Sequence, residues 1–116
     1  MLFTAANPGI FSGGLVGESK SGILTHLSKV PGAVASFTVI SEEAACRAEE
    51  FPIVLKPDVG EGGTGVATVQ VAEELNDYLR HATGDTIAQR YVPGLELGVY
   101  FVRYPDEPHG RVLYVT

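Results

Sequence analysis

The segment KPDVGEGGTGV, residues 56–66, decides the fold, because a lysine is followed closely by a cluster of glycines. Four of the chain's 14 glycines fall between positions 60 and 65. Glycine has no Cβ, so its backbone N–H groups can approach an anion closely. A lysine at the end of a strand adds a positive charge for phosphate oxygens. The pattern is therefore typical of a loop that covers a phosphate-bearing ligand.

Strands are predicted on both sides of this loop, PIVLK at 52–56 and VATVQV at 66–71. The loop is not a Walker A loop, because the GK[ST] sequence is absent. It is not the dinucleotide fingerprint either, whose glycines open a helix rather than a strand. A flexible hairpin loop with a solvated lysine is the alternative that this segment alone leaves open.

A second motif, QRYVPGLE, occupies residues 89–96. A predicted strand ends here at a Pro-Gly turn, and Glu96 follows directly on the next strand. An extended segment of this kind can offer a backbone carbonyl and N–H to an adenine edge, with the glutamate close enough to accept from a ribose. Taken alone, the motif also fits a hairpin with a surface glutamate.

The rest of the chain supplies short helices and strands around these motifs. Ser19 or Ser21 can cap a helix that ends near Lys29, since Pro31-Gly32 cannot continue it. Further helices are predicted from Ser41 to about residue 50 and from Ala72 to Gly84, and further strands over 35–40, 86–92, 96–104 and 111–116. One crossover helix between consecutive strands is not the alternation of a doubly wound fold. We therefore expect an α+β fold, a mainly antiparallel sheet with a few packed helices.

Composition narrows the classes of function. Eight basic against 14 acidic residues give a net charge of −6, which argues against a nucleic-acid surface but not against a small phosphate ligand. The chain contains no apolar run of roughly 18 residues and no signal peptide, so we expect no membrane segment. The single cysteine excludes an internal disulfide framework and suits a cytoplasmic location. His26, His81 and His109 fall in different predicted elements, which favours surface positions over a metal site.

Together the two motifs resemble the ATP-grasp family of carboxylate–amine ligases, which includes D-alanine–D-alanine ligase. In that family a lysine-bearing strand leads into a glycine-rich loop over the triphosphate. A helix follows, then a strand whose end forms the adenine hinge, then a short Gly-x-Glu. The segments FPIVLKP, GEGGTGV and TIAQRYVPG and residue Glu96 stand in that order at similar spacing.

The resemblance implies a set of adenine-nucleotide contacts. Lys56 is similar to the lysine that contacts the α- or β-phosphate. GESKSGIL places a second nucleotide-contacting lysine, Lys20, at a helix start, where anions are favoured. Gln89 stands where many members carry a glutamate that accepts from the adenine amino group, and a neutral amide can accept through its oxygen. The other implied contacts are the phosphate-covering loop of Glu61, Gly62, Gly63, Thr64 and Gly65, the hinge backbone of Arg90 and Val92, and the ribose ligand Glu96.

The resemblance also implies an activity, in which a substrate carboxylate attacks the γ-phosphate of ATP and an amine or thiol captures the acyl phosphate. Mg²⁺ bridges phosphate oxygens in such reactions, and its ligands in the family follow the strands seen here. We expect residues 1–40 to lead into a nucleotide-binding subdomain at 41–116 that stops before the metal-binding lobe and is inactive alone. A non-catalytic nucleotide-binding module and a plain α+β domain with a structural loop are the alternatives. The apolar strands near the end also favour self-association.

Overall fold

The computed structural model describes residues 19–41, 51–60 and 63–116 of the chain. Two helices and six strands lie in this part. In chain order they are α1 (Lys20–Leu27), β1 (Phe37–Ile40), β2 (Ile53–Pro57), β3 (Ala67–Val69), α2 (Ala72–His81), β4 (Thr86–Arg90), β5 (Val99–Val102) and β6 (Arg111–Val115). The predicted α+β class is confirmed. The helix predicted after Ser41 falls outside the described residues.

Four strands form one antiparallel sheet with the order β1-β4-β2-β3. β4 is central, with Ile87 paired to Val39 on one side and to Lys56 on the other. β2 and β3 flank the glycine-rich segment and pair antiparallel, with Leu55 opposite Ala67. The predicted arrangement of strand, glycine loop and strand is therefore a hairpin at the edge of this sheet.

One face of the sheet carries the hydrophobic core. Side chains alternate between the two faces along a strand, and the core-facing set packs with α2. The buried members are Ile40, Ile53, Leu55, Val69, Leu75 and Ala88, with Phe51, Tyr78 and Leu79 packed against them. Burying a side chain such as Leu55, which is 0% exposed, contributes about 1.5–3 kcal/mol to folding. This core holds β2 and β4 rigidly under the candidate site.

The opposite face of the same sheet carries Lys56 and Gln89. Val54 pairs with Gln89 and Lys56 pairs with Ile87, so these four side chains share one face by strand alternation. We call it the lysine face. Leu55 and Ala88, which alternate with them, lie on the core face.

The helices begin where the sequence predicts. Ser19 caps α1, and its hydroxyl accepts from the Gly22 N–H. In α2, Glu73 and Glu74 lie in the first turn, where negative charge is favourable. The Glu74 carboxylate also accepts from the Gln70 N–H at 2.7 Å, one residue before the N-cap Val71.

β5 and β6 form a separate two-stranded antiparallel sheet with an irregular register between Tyr100 and Phe101. The predicted strand 96–104 is shorter in the structure, since residues 91–98 have no regular structure. Nearly all side chains of the two strands are exposed, and Tyr100 and Tyr114 stack with ring centroids 5.0 Å apart. Within the described residues, no helix is long and apolar enough to cross a membrane.

Candidate functional site

The lysine face brings Lys56 and Gln89 into direct contact. The two residues lie diagonally across β2 and β4, and the Lys56 Nζ donates to the Gln89 Oε1 at 2.7 Å. The Gln89 Nε2 donates in turn to the Ala35 carbonyl at 3.1 Å. Gln89 therefore has a fixed amide orientation, with its acceptor toward the lysine and its donor committed to the backbone. A neutral partner also leaves the Lys56 charge uncancelled.

Lys20 approaches the same region from a different element. It is the first residue of α1, and its Nζ donates to the Gly60 carbonyl at 2.8 Å. Burial, together with the positive charge of Lys20, lowers the pKa of Lys56 below its ordinary value. The two ammonium groups therefore act on each other across the start of the glycine loop. An ammonium has three donors, so each lysine keeps hydrogen-bonding capacity for an added anion.

The glycine loop is fixed at its far end by α2. The Tyr78 hydroxyl donates to the Gly65 carbonyl, and burial raises the pKa of Tyr78. Gly63 and Gly65 have φ values of 73° and 78°, which favour glycine. Residues 63–65 form a turn. Of the predicted loop residues, Gly63, Thr64 and Gly65 are described, whereas Glu61 and Gly62 lie outside the described residues.

Asp58 ties the near end of the loop to α1. Its carboxylate accepts from the Ser21 N–H at 2.7 Å and from the Ser19 hydroxyl at 3.0 Å. Partial burial opposes ionisation of Asp58, but the hydrogen bonds from Ser21 and Ser19 and the charge of Lys20 together lower its pKa. The helix N-terminus that the sequence suggested for an external anion is thus filled by the protein's own carboxylate.

The end of β4 exposes backbone groups at the predicted hinge. The Arg90 N–H donates to the Ser36 carbonyl at 2.9 Å, while no described backbone group accepts from the Val92 N–H. Arg90 pairs with Ile53, so its side chain lies on the core side of the sheet and only its backbone faces the site edge. Val92 is 60% exposed. The Val92 N–H therefore remains available to a flat ligand edge.

Glu96 is not brought to the lysines. It lies in the exposed segment before β5 and makes no hydrogen bond or ion pair with another described residue. Within the same described ranges, no group of three or more His, Cys, Asp or Glu residues could hold a metal ion.

A cavity of about 590 Å³ is lined by both ends of the glycine loop, at Asp58 and Gly65, by the C-terminal end of α2 and by the turn that leads into β4. Asp58, Asp77 and Asp85 line it, and none of its lining residues is a lysine or arginine. Like charges repel, so this lining disfavours phosphate. Lys56 lies on the lysine face and Lys20 reaches the start of the glycine loop, so we place the candidate anion site beside these two cations and not in the cavity.

Sequence reasoning missed Asp58 and Tyr78. Asp58 stands inside the glycine-rich motif, but its partners are 37 and 39 residues away along the chain. Tyr78 falls on the apolar stripe of α2, where the pattern indicates a core residue. Its hydroxyl at the edge of that stripe is the only signal that the sequence offers.

Comparison with known proteins agrees with this architecture. The family profile of the ATP-grasp domain matches residues 21–109. This chain belongs to the ATP-grasp family. Its fold is similar to that of D-alanine–D-alanine ligase from Helicobacter pylori, with a TM-score of 0.65 and 15% sequence identity over 84% of this chain and 32% of the ligase. The chain thus spans about a third of that enzyme's length.

Proposed function

We propose that the chain is the ATP-binding part of an ATP-dependent carboxylate–amine or carboxylate–thiol ligase. One observation carries the proposal: Lys56, near the end of β2, and Lys20, whose Nζ donates to the Gly60 carbonyl, come from separate elements to the start of one glycine loop. Placing two cations together costs free energy, and a polyphosphate between them would offset that cost. The ATP-grasp fold supports adenine nucleotide as the ligand.

The described residues fit the phosphates and the adenine base of ATP better than they fit a Mg²⁺ ion. The lysines would hold phosphate oxygens, with Gly63, Thr64 and Gly65 covering them, and Gln89, Arg90 and Val92 would receive the adenine. Bound ATP would supply the phosphoryl group for the acyl phosphate. We assign no step to Mg²⁺, because no set of ligands for it lies within the described ranges. The ribose role of Glu96, the roles of Glu61 and Gly62, and a cytoplasmic location stay predictions.

The test is calorimetric titration of the purified chain with Mg·ADP and Mg·ATP. The variant Lys56→Met removes the charge and keeps most of the side-chain volume. We expect it to weaken binding by about 1.5–3 kcal/mol, or roughly 10- to 100-fold, the range for hydrogen bonds to charged groups. Lys29→Met is the matched control, because Lys29 is exposed in the turn after α1 and should bind as the unaltered chain does.

Two outcomes would contradict the proposal: no saturable binding by the unaltered chain, or equal affinities for the chain and its Lys56→Met variant. The first would favour a plain α+β domain whose glycine loop is structural. If binding occurs, incubation with Mg·ATP and mixed carboxylates and amines tests whether these residues also carry catalytic activity. We predict that residues 1–116 alone release no ADP.

Self-association through β5 and β6 also stays a prediction. Val99, Phe101, Val112 and Val115 are each more than half exposed, and within the described residues the two strands pair only with each other. The outer edges of apolar strands, whose N–H and C=O groups have no strand partner, are templates for pairing with another chain. Light scattering over a concentration series measures whether the chain forms dimers.

A further inference from the structure

The start of α1 is held to the base of the glycine loop mainly by Asp58. Its carboxylate accepts from the Ser21 N–H and the Ser19 hydroxyl, and its backbone carbonyl accepts from the Lys20 N–H at 2.9 Å. Ser19 also forms an isolated antiparallel bridge with Val59. We call the hydrogen bonds between Asp58 and Ser19, Lys20 and Ser21 the Asp58 clamp.

Hydrophobic packing does not fix this helix. α1 has eight residues and none of them is buried. A helix of that length is marginal in water without tertiary contacts. The clamp therefore supplies the polar contacts that hold the N-terminal end of α1 against the loop.

Lys20 lies between the two clamped serines, so the clamp determines where its side chain starts. From there the Lys20 Nζ reaches the Gly60 carbonyl, only two residues beyond Asp58. The start of α1, the base of the glycine loop and the Lys20 side chain are thus connected by one continuous series of hydrogen bonds. If the clamp opened, the backbone at Lys20 would be free to move away from the loop and from Lys56.

We propose that Asp58 is a positioning residue for nucleotide binding: it holds Lys20 over the glycine loop so that both lysines face the same phosphate groups. The inference rests on the proposed function. Asp58 is not itself a phosphate ligand, because its charge would repel phosphate and its oxygens are engaged by Ser19 and Ser21.

A double-mutant cycle with Mg·ADP as the probe tests this role in the full chain. Asp58→Ala and Lys20→Ala should each weaken binding about tenfold, near the lower limit for a charged hydrogen bond. The Asp58→Ala, Lys20→Ala double variant should bind Mg·ADP at most about tenfold more weakly than the unaltered chain does, since the first change has already displaced the lysine. When Asp58→Ala is combined with Lys56→Met, the losses of binding free energy should be nearly additive, because the Asp58 clamp does not hold Lys56.

Two further variants separate positioning from charge and from folding. Asp106→Ala removes the same charge from an exposed turn and should leave affinity unchanged. Asp58→Asn keeps an oxygen that can accept from the Ser21 N–H, so it should restore affinity to within about threefold of the unaltered chain. If Asp58→Ala fails to fold, which circular dichroism would reveal, Asp58→Glu takes its place in the cycle, because it keeps the charge and moves the carboxylate by one methylene group.

The outcomes distinguish this inference from the proposed function. If the unaltered chain binds Mg·ADP and Asp58→Ala binds equally well, the positioning role is refuted while the nucleotide site stands. Additive losses for Asp58→Ala and Lys20→Ala also refute it, since the two residues then act independently. If the unaltered chain does not bind, both proposals fail.

Discussion

Substituting alanine for Gly65 should destabilise the chain. The same substitution at Gly63 measures how much of this effect comes from the backbone conformation alone. A Cβ on Gly65 would lie 2.9 Å from the Pro57 Cγ and 3.3 Å from its Cδ. The φ of Gly65 is 78°, a left-handed value that alanine rarely adopts. Gly63 has nearly the same φ, but no described atom lies within 4 Å of the position that a Cβ would take there.

Both substitutions place an alanine in the left-handed conformation, but only Gly65→Ala also brings a Cβ close to Pro57. The left-handed conformation costs an alanine about 1–2 kcal/mol. The proline ring is rigid and closes the end of β2, so relieving the contact at Gly65 should cost about another 1–2 kcal/mol, as overpacking does. We expect Gly65→Ala to lower the free energy of unfolding by about 2–4 kcal/mol and Gly63→Ala by about 1–2 kcal/mol.

Urea unfolding followed by far-ultraviolet circular dichroism measures both values, provided that the slope of the transition is unchanged. The difference between the two variants reports the Pro57 contact alone. Equal destabilisation by both would refute the packing of Gly65 against Pro57. No destabilisation by either would refute the left-handed loop geometry that shapes the candidate phosphate cover.

Three further predictions concern the groups around this loop. Tyr78→Phe removes the hydroxyl that donates to the Gly65 carbonyl and should lower the free energy of unfolding by about 1 kcal/mol, measured in urea; an unchanged value would mean that the contact contributes nothing. The lowered pKa of Asp58 adds stability above the unfolded pKa of about 3.9, and this stability is lost as the pH falls through the native pKa. Asp58→Asn should therefore lower the free energy of unfolding by about 1 kcal/mol at neutral pH, after allowance for solvent screening. The difference in stability from the unaltered chain should shrink below about pH 4. A difference that is constant with pH would contradict the ionic character of the Asp58 clamp. Gln89→Glu places a carboxylate against the Lys56 ammonium, so it should raise the pKa of Lys56 toward its ordinary value, as ¹³C NMR titration of the lysine Cε would show; an unmoved pKa would exclude the contact.

The parts of the fold that depend on neighbouring residues could be predicted from the sequence. Ser19 caps α1 because a hydroxyl before a helix can reach the N–H groups of its first turn. The strand that carries Lys56 ends within one residue of it, at Pro57, close to the end that the proline and the glycines predict. Leu75 is buried because it lies on an apolar stripe at helical spacing. These outcomes follow from local chemistry.

The parts that depend on tertiary placement could not be predicted. The contact between Lys56 and Gln89 requires the register of β2 against β4, which no local pattern specifies. The separation of β5 and β6 into a second sheet requires the irregular segment 91–98 to leave the first sheet. The capture of the α1 N-terminus by Asp58 depends on two segments that meet only in the folded chain.

The central claim is that adenine nucleotide binds on the lysine face, and amide chemical-shift mapping with Mg·ADP tests its location most directly. The account predicts that the largest shifts fall on Lys20, Lys56, the residues 63–65 and the β4 end at Arg90 and Val92, with smaller shifts at the cavity beside α2. Saturating shifts centred instead on His81 and Asp85, at that cavity, would contradict the account.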